Sequence, residues 1–235
     1  MSRNLPVHPV ISVIVPVYRE QASINAFARH LLKVFAGHDC EIIVVDGSPE
    51  LETVSALNAK GIQAVSSGKG RGKQMNAGAA MARGRILLFL HSDTRLPDNA
   101  PELIPRAMDA DSDIIGGAFS LGIDSSQRII KLIELGANIR IALTRVPYGD
   151  QAIFIRKDYF HETGGFREIP IMEDLEMMTR IKKKGGRIVI LKNKVMTSPR
   201  RWQKEGTARC TLRNWFIRTL YHCGVSLDRI AGFYR

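Results

Sequence analysis

Residues 85–94, RILLFLHSDT, constrain the fold of this chain more than any other stretch. A run of five apolar residues, Ile86 to Leu90, stops abruptly at His91-Ser92-Asp93. Such a run, bounded by polar residues, suits a strand covered on both faces of a sheet. Ligand-type residues just past its carboxyl end fall where open α/β sheets bind ligands. Ile11–Val15 and Ile42–Val45 repeat the pattern, ending in Pro16-Val17-Tyr18-Arg19-Glu20 and Asp46-Gly47-Ser48. Three strands delivering polar groups to one edge make that edge the candidate site.

Between these runs lie helical patterns, which predicts βα units and a mostly parallel sheet. Strands are expected at 11–15, 41–45, 63–65, 85–90, 113–119, 151–155 and 187–191. Helices are expected at 22–35, 51–60, 73–82, 101–110, 157–163 and 173–184. Gln127–Leu143 has helical spacing at Ile129, Leu132, Ile133, Gly136 and Ile139. From Thr207 onward, two amphipathic helices break at Gly224. The simplest division is one α/β domain over residues 1–205 and a helical appendage over 206–235, packed on the domain or on a membrane.

No apolar run approaches the roughly 18–20 residues that span a bilayer. The opening MSRNLPVHPV lacks the apolar core of a signal peptide. Three widely spaced cysteines, Cys40, Cys210 and Cys223, form no CxxC and argue against a disulfide scaffold or structural zinc. A cytoplasmic protein in a reducing compartment is expected. The net charge of +11 is uneven: from Lys182 onward the basic residues face only Glu205 and Asp228. Such a third seeks phosphate-rich partners.

Individual motifs narrow the chemistry. Gly68-Lys69-Gly70-Arg71-Gly72-Lys73, opening a helix, suits a diphosphate. It is not a P-loop, because Ser67 stands where the first glycine belongs and Gln74 follows Lys73. Asp93 can supply one carboxylate to a divalent cation on a diphosphate. His91 is open to three readings: a second metal ligand, a base or ribose contact, or a packed histidine. Asp46 suits a ribose or base contact, or turn chemistry alone. Glu173, Asp174 and Glu176 share a helix start, where acidic residues favour the helix dipole. One of the adjacent Glu173 and Asp174 could also take a proton from an attacking hydroxyl.

Taken together the chain resembles the family 2 glycosyltransferases, inverting enzymes of the GT-A fold that use nucleotide-diphosphate sugars. The matching elements run in order: Val15-Pro16-Val17-Tyr18 with Glu20, Val44 to Ser48, Gly70 to Gly78 with Asn76, His91-Ser92-Asp93, Gly117-Ala118-Phe119, Gly164-Gly165-Phe166 and Glu173-Asp174. HSDT, PYGDQ (147–151) and SPRRW (198–202) are similar to a compact bacterial subgroup.

The resemblance implies that Pro16, Tyr18 and Glu20 line a uracil and ribose pocket and that Asp46 binds base or ribose. Lys73, Asn76 and Ser92 join the donor-binding set. Asp93, with His91 in place of the family's first Asp, would hold Mn2+ or Mg2+. Arg200, Arg201 and Trp202 would hold the diphosphate or acceptor. Asp174 would be the general base, with Glu173 beside it. A UDP-sugar is the expected donor and a hydroxyl or carboxyl the acceptor, with lipid and carotenoid-type acceptors among the options.

The tail from Leu212, with Trp215, Phe216, Ile217, Leu220, Tyr221, Val225, Leu227, Ile230, Phe233 and Tyr234 among arginines, could lie peripherally on an anionic membrane, pack on the core or form a homodimer. A nucleic-acid-binding protein is the rival class, prompted by pI ≈ 9.9. It lacks a recognised binding motif, and no nucleic-acid partner is expected. A nucleotidyltransferase on a similar sheet is the nearer rival.

Overall fold

The computed structural model describes residues 9–233; Tyr234 and Arg235 of the tail lie outside that range. In chain order the elements are β1 (Ile11–Val17), α1 (Ile24–Val34), β2 (Cys40–Asp46), α2 (Glu52–Ser55), β3 (Ile62–Ser66), α3 (Arg71–Met81) and β4 (Ile86–Phe89). There follow β5 (Thr94–Arg95), α4 (Ala100–Asp109), β6 (Ile114–Ile123), α5 (Arg128–Thr144), a 3-10 turn at Gly149–Gln151 and β7 (Ile153–Arg156). The chain continues through α6 (Lys157–Glu162), α7 (Glu173–Lys183), β8 (Arg187–Thr197), α8 (Arg200–Glu205), α9 (Thr207–His222) and α10 (Leu227–Gly232).

One sheet carries the order β3-β2-β1-β4-β7-β6-β8-β5. The first four of these strands are mutually parallel, as the βα alternation predicts. β7 runs antiparallel to β4 and β6, and β5 antiparallel to β8. The reversal matters for the site. Because β7 enters the sheet where β4 leaves it, the turn at Gly149–Gln151 joins the same edge as His91.

β1, β2 and β4 are buried on both faces because both faces are covered. Val13, Val15, Val44, Ile86 and Leu88 pack with Ile24, Phe27, Leu31 and Val34 of α1. Ile14, Ile43, Val45, Leu87 and Phe89 pack with Met75 and Ala79 of α3 on the other face. Gly78 lets α3 approach this closely: a Cβ there would lie 2.5 Å from Ile14 Cγ2.

Some boundaries differ from the sequence reading. The helix expected at 51–60 shrinks to four residues, preceded by Leu51 at φ +54°. β6 and β8 run on to Ile123 and Thr197, forming a long parallel pair with irregular register between Phe119 and Ser120. The appendage packs on the domain: Ile217 and Ile230 are buried against Ile171. Among the described residues no helix is long and apolar enough to cross a membrane.

Candidate active site

The carboxyl ends of β2, β1 and β4 lie side by side. Gln74 of α3 ties the first two together, its side-chain NH2 donating to Val17 O at 2.7 Å and Val45 O at 2.9 Å. Past β1, Tyr18 presents a half-exposed ring with Lys69 Nζ 4.9 Å from its centroid. Lys69 belongs to the glycine-rich loop, so that loop reaches the end of β1. Arg19, at φ +56°, turns the chain so that Glu20 N donates to Thr53 Oγ1 at 2.9 Å.

Asp46 is wholly buried and engaged from within the chain. Oδ1 accepts from Ser48 N (2.9 Å) and Ser48 Oγ (2.6 Å), and Oδ2 from Thr53 N (3.0 Å) and Val54 N (3.1 Å). Four donors match the roughly four lone-pair positions of a carboxylate. Asp46 therefore fixes the Gly47-Ser48 turn and caps the start of α2.

Arg200 joins two of the expected site residues. Its Nη2 lies 2.7 Å from Glu20 Oε1 and 3.6 Å from Asp93 Oδ2. The pairing of β5 with β8 makes this possible, because Thr94 opposes Thr197 and Ser198 N donates to Asp93 O at 3.0 Å. Burial raises the Glu20 pKa, but the Arg200 and Ser23 hydrogen bonds outweigh it and hold the carboxyl below its ordinary value.

A second constellation forms where α7 meets the turn before β7. Gly149 N donates to Asp174 Oδ2 at 2.5 Å, and Asp174 Oδ1 accepts from Leu175 N at 2.7 Å. A Cβ on Gly149 would sit 2.6 Å from His91 Nε2, so the imidazole is packed directly against this backbone. Burial, with Arg71 and Arg201 nearby, pushes His91 down to about 3 and keeps it neutral at physiological pH.

Asp150, next in the turn, is pushed up to about 6 by burial and by Asp174. Glu173 is buried beside Arg71, Nε to Oε1 2.9 Å. Burial drives its carboxyl above the ordinary range against the pull of Arg71. Met172 just before α7 and Ala152 just before β7 take left-handed conformations, at φ +64° and +50°. Strained non-glycine backbone of this kind concentrates at functional sites.

The edge thus gathers two contact groups, Tyr18, Glu20, Asp93 and Arg200 in one and His91, Glu173 and Asp174 in the other, with Asp150 influenced by both Asp93 and Asp174. Ser92 lies between His91 and Asp93, and Arg201 is exposed next to Arg200. Three expected residues have their side chains engaged elsewhere. Asn76 spends both ends of its amide on Phe166, Nδ2 to O 2.8 Å and N to Oδ1 2.9 Å. Lys73 pairs on the surface with Glu168 at 3.5 Å. Trp202 packs on the small cluster of Leu121, Ile123 and Ile130.

Arg71, expected in the sequence only as part of a diphosphate loop, is the partner of Glu173, and Asp150 had no assigned role. The signal for Asp150 was a carboxylate beside a glycine, immediately ahead of the apolar strand IFI.

A divalent cation fits this edge only in part. Among the described residues no group of three His, Cys, Asp or Glu side chains is placed to hold one. His91 Nε2 faces the Gly149 backbone. The donor set is then one carboxylate, Asp93, which matches a Mg2+-type ion completed by substrate phosphates and water.

Comparison with known proteins agrees with this architecture. The sequence model for glycosyl transferase family 2 matches residues 12–168. A dolichol-phosphate mannosyltransferase of Mycosarcoma maydis is 30% identical over 129 residues, covering 49% of this chain and 44% of that protein. An uncharacterized protein of Mycobacterium tuberculosis is 29% identical over 203 residues, covering 75% and 63%. The chain therefore spans about half to two thirds of the length of these relatives. A mannosyltransferase from Pyrobaculum calidifontis, solved with GDP-mannose and Mn2+, superposes with a TM-score of 0.67 at 19% identity, covering 93% of this chain and 63% of that one. TarS of S. aureus, solved with UDP-GlcNAc, gives 0.59 at 22% identity, covering 80% and 58%.

Proposed function

The chain belongs to glycosyl transferase family 2, and we propose that it moves one sugar from a nucleotide-diphosphate sugar, a UDP-sugar being the first to test, onto an acceptor hydroxyl or carboxyl with inversion. The observation that carries this reading is that one sheet edge holds both a cation for a diphosphate and an oriented carboxylate. Arg200 stands beside Asp93, and Asp174 is oriented by Gly149 N, with Asp150 under the influence of both carboxylates.

In this reading Tyr18 and the Gly47-Ser48 turn set by Asp46 flank the nucleoside. Arg200 exchanges part of its contact with Glu20 for the diphosphate, aided by Arg201. Asp93 would hold a divalent ion, which when bound neutralises the leaving diphosphate. Asp174 takes the proton as the acceptor oxygen attacks the anomeric carbon, and the bond to the diphosphate breaks with its electron pair. A single displacement inverts the centre and needs no enzymic nucleophile. His91 and Glu173 position this end: the neutral imidazole braces the Gly149 turn, and Glu173 anchors Arg71.

Incubation with UDP-GlcNAc, UDP-glucose and GDP-mannose tests the reading. Release of the nucleoside diphosphate is expected, lowered roughly 10²–10⁴-fold in Asp174→Asn. Release of pyrophosphate from a nucleoside triphosphate instead would replace glycosyl with nucleotidyl transfer.

A further inference from the structure

Helix α5 is inside out. Its buried side carries Ile130, Ile141 and the charged Glu134, whereas its outward side carries Ile129, Leu132, Leu135, Ile139 and Leu143, between 52% and 78% exposed. The apolar spacing that identifies this segment as a helix thus lies mostly on its solvent side. Successive separations of three or four residues place these five on a single stripe. From Ile129 to Leu143 the stripe is about 21 Å long at the helical rise.

The orientation is held by the polar residues of the same helix. Glu134 accepts from Lys194 Nζ (2.6 Å), Lys131 Nζ (3.1 Å) and Ile123 N (3.0 Å). Asn138 bonds both the N–H and the carbonyl of Leu121 at 2.8 Å. Rotating α5 to hide the stripe would strip these buried and part-buried groups of their partners, which is costly.

A face of this size marks an interaction surface, and the charges around it select the partner. Glu134, the acidic residue of α5, is turned inward. Arg128 and Arg145 at its two ends are exposed, and Lys182 of α7 reaches its last turn, Nζ to Thr144 O 2.7 Å. A second copy of this chain would bring the same cations against these. Anionic lipid headgroups supply the opposite charge, and each nearby basic residue adds to the attraction.

Beside the stripe a groove of about 650 Å3 opens between α5, α7 and α9, with Val146, Tyr148, Leu175 and Trp215 among its walls. Two of its walls, Tyr148 and Leu175, are the chain neighbours of Gly149 and Asp174. Trp215, 65% exposed, stands at its α9 wall.

We propose that the outward face of α5 lies in the plane of an anionic bilayer surface, with the groove mouth turned toward the lipid. Resting on the glycosyltransferase reading, this makes the acceptor a molecule held in that bilayer, reaching Asp174 along the groove. The carrier of membrane contact is then α5 rather than the C-terminal tail alone, whose Ile217 and Ile230 are committed to the core.

Co-sedimentation of the full chain with phosphatidylcholine–phosphatidylglycerol vesicles, against pure phosphatidylcholine, tests this without any sugar nucleotide. Its outcome is therefore independent of whether donor turnover is found. Binding to the anionic vesicles alone is expected, falling more than about tenfold in Leu132→Glu/Ile139→Glu/Leu143→Glu. These positions are exposed, so the melting temperature serves as the check on folding. Brominated lipid in the anionic vesicles is expected to quench fluorescence that is lost in Trp215→Phe. The proposal is overturned by no binding at low ionic strength, by undiminished binding of the triple variant, by an unquenched Trp215, or by a dimer that the triple variant dissociates.

Discussion

Gly149 and Asp174 are coupled through the shortest contact of the site: the Gly149 N–H donates to Asp174 Oδ2 at 2.5 Å, and the same residue packs against His91. A methyl group at this position would lie 2.6 Å from His91 Nε2 and 3.1 Å from the Asp174 oxygen. Gly149→Ala should therefore push the imidazole and the carboxylate apart. Displacements near 1 Å in a catalytic group cost on the order of 10²-fold, while overpacking costs about 1–3 kcal/mol of stability. Steady-state kinetics are expected to show a fall in kcat of that order in a protein that still melts cooperatively. Full activity would remove His91 and Asp174 from one unit.

Arg200 holds Glu20 in a two-pronged contact, Nη2 to Oε1 2.7 Å and Nη1 to Oε2 3.2 Å, and stands 3.6 Å from Asp93. Its side chain is half exposed, so the pairs add little to stability. Toward a diphosphate the same guanidinium is worth more, because hydrogen bonds to charged groups contribute roughly 1.5–3 kcal/mol. Arg200→Ala is expected to weaken UDP or GDP binding by about tenfold or more with a nearly unchanged melting temperature. Arg200→Lys should recover only part, since an ammonium cannot make the fork. Calorimetric titration of the free nucleotide reads both.

The βα order and the three polar strand ends were legible because burial on both faces writes strands as unbroken apolar runs. Ile11, Ile42 and Ile86 begin such runs, and α1 between the first two has one apolar face. What was not legible depends on contacts between distant segments. Asp46 and Asn76 stand in site-like motifs, yet their polar atoms are satisfied by Ser48, Thr53, Val54 and Phe166. No local pattern distinguishes a carboxylate aimed at a ligand from one aimed at a turn. Asp150 was missed for the converse reason: its neighbours Asp174, Arg140 and Asp93 come from other elements. The outward stripe of α5 reads in sequence as an ordinary amphipathic helix, and only the inward bonds of Glu134 and Asn138 reveal its direction.

The clamp between Asn76 and Phe166 spans the gap between α3 and the turn before α7. Gly165 tightens it, at φ +66° with any Cβ only 2.7 Å from Asn76 Oδ1. Asn76→Ala leaves the Phe166 N–H and carbonyl without their partner, which costs roughly 1–3 kcal/mol per unsatisfied group. Thermal denaturation is expected to show a clear loss of stability, with nucleotide affinity at saturating folded protein changed by less than about threefold. A large affinity loss at unchanged stability would return Asn76 to the donor-binding set.

Asp150 stores a pH dependence whose sign is fixed by its surroundings. Burial and the neighbouring Asp174 raise its carboxyl to about 6, with Asp93 adding to the rise and Arg140 and Arg71 opposing it. Its ordinary value is 3.8. Between these values the folded chain binds more protons than the unfolded one, so stability falls as pH rises through that window. Below about 4 the penalty is absent, and above about 6 it is complete. A shift of this size corresponds to at most roughly 3 kcal/mol. Asp150→Asn keeps the shape and removes the charge. Its melting temperature is expected to exceed that of the parent at pH 7.5 by several degrees, and the difference to close as the buffer is taken down to pH 4. An equal difference at both pH values would mean that Asp150 carries no proton-linked strain and that the fold tolerates its charge beside Asp174.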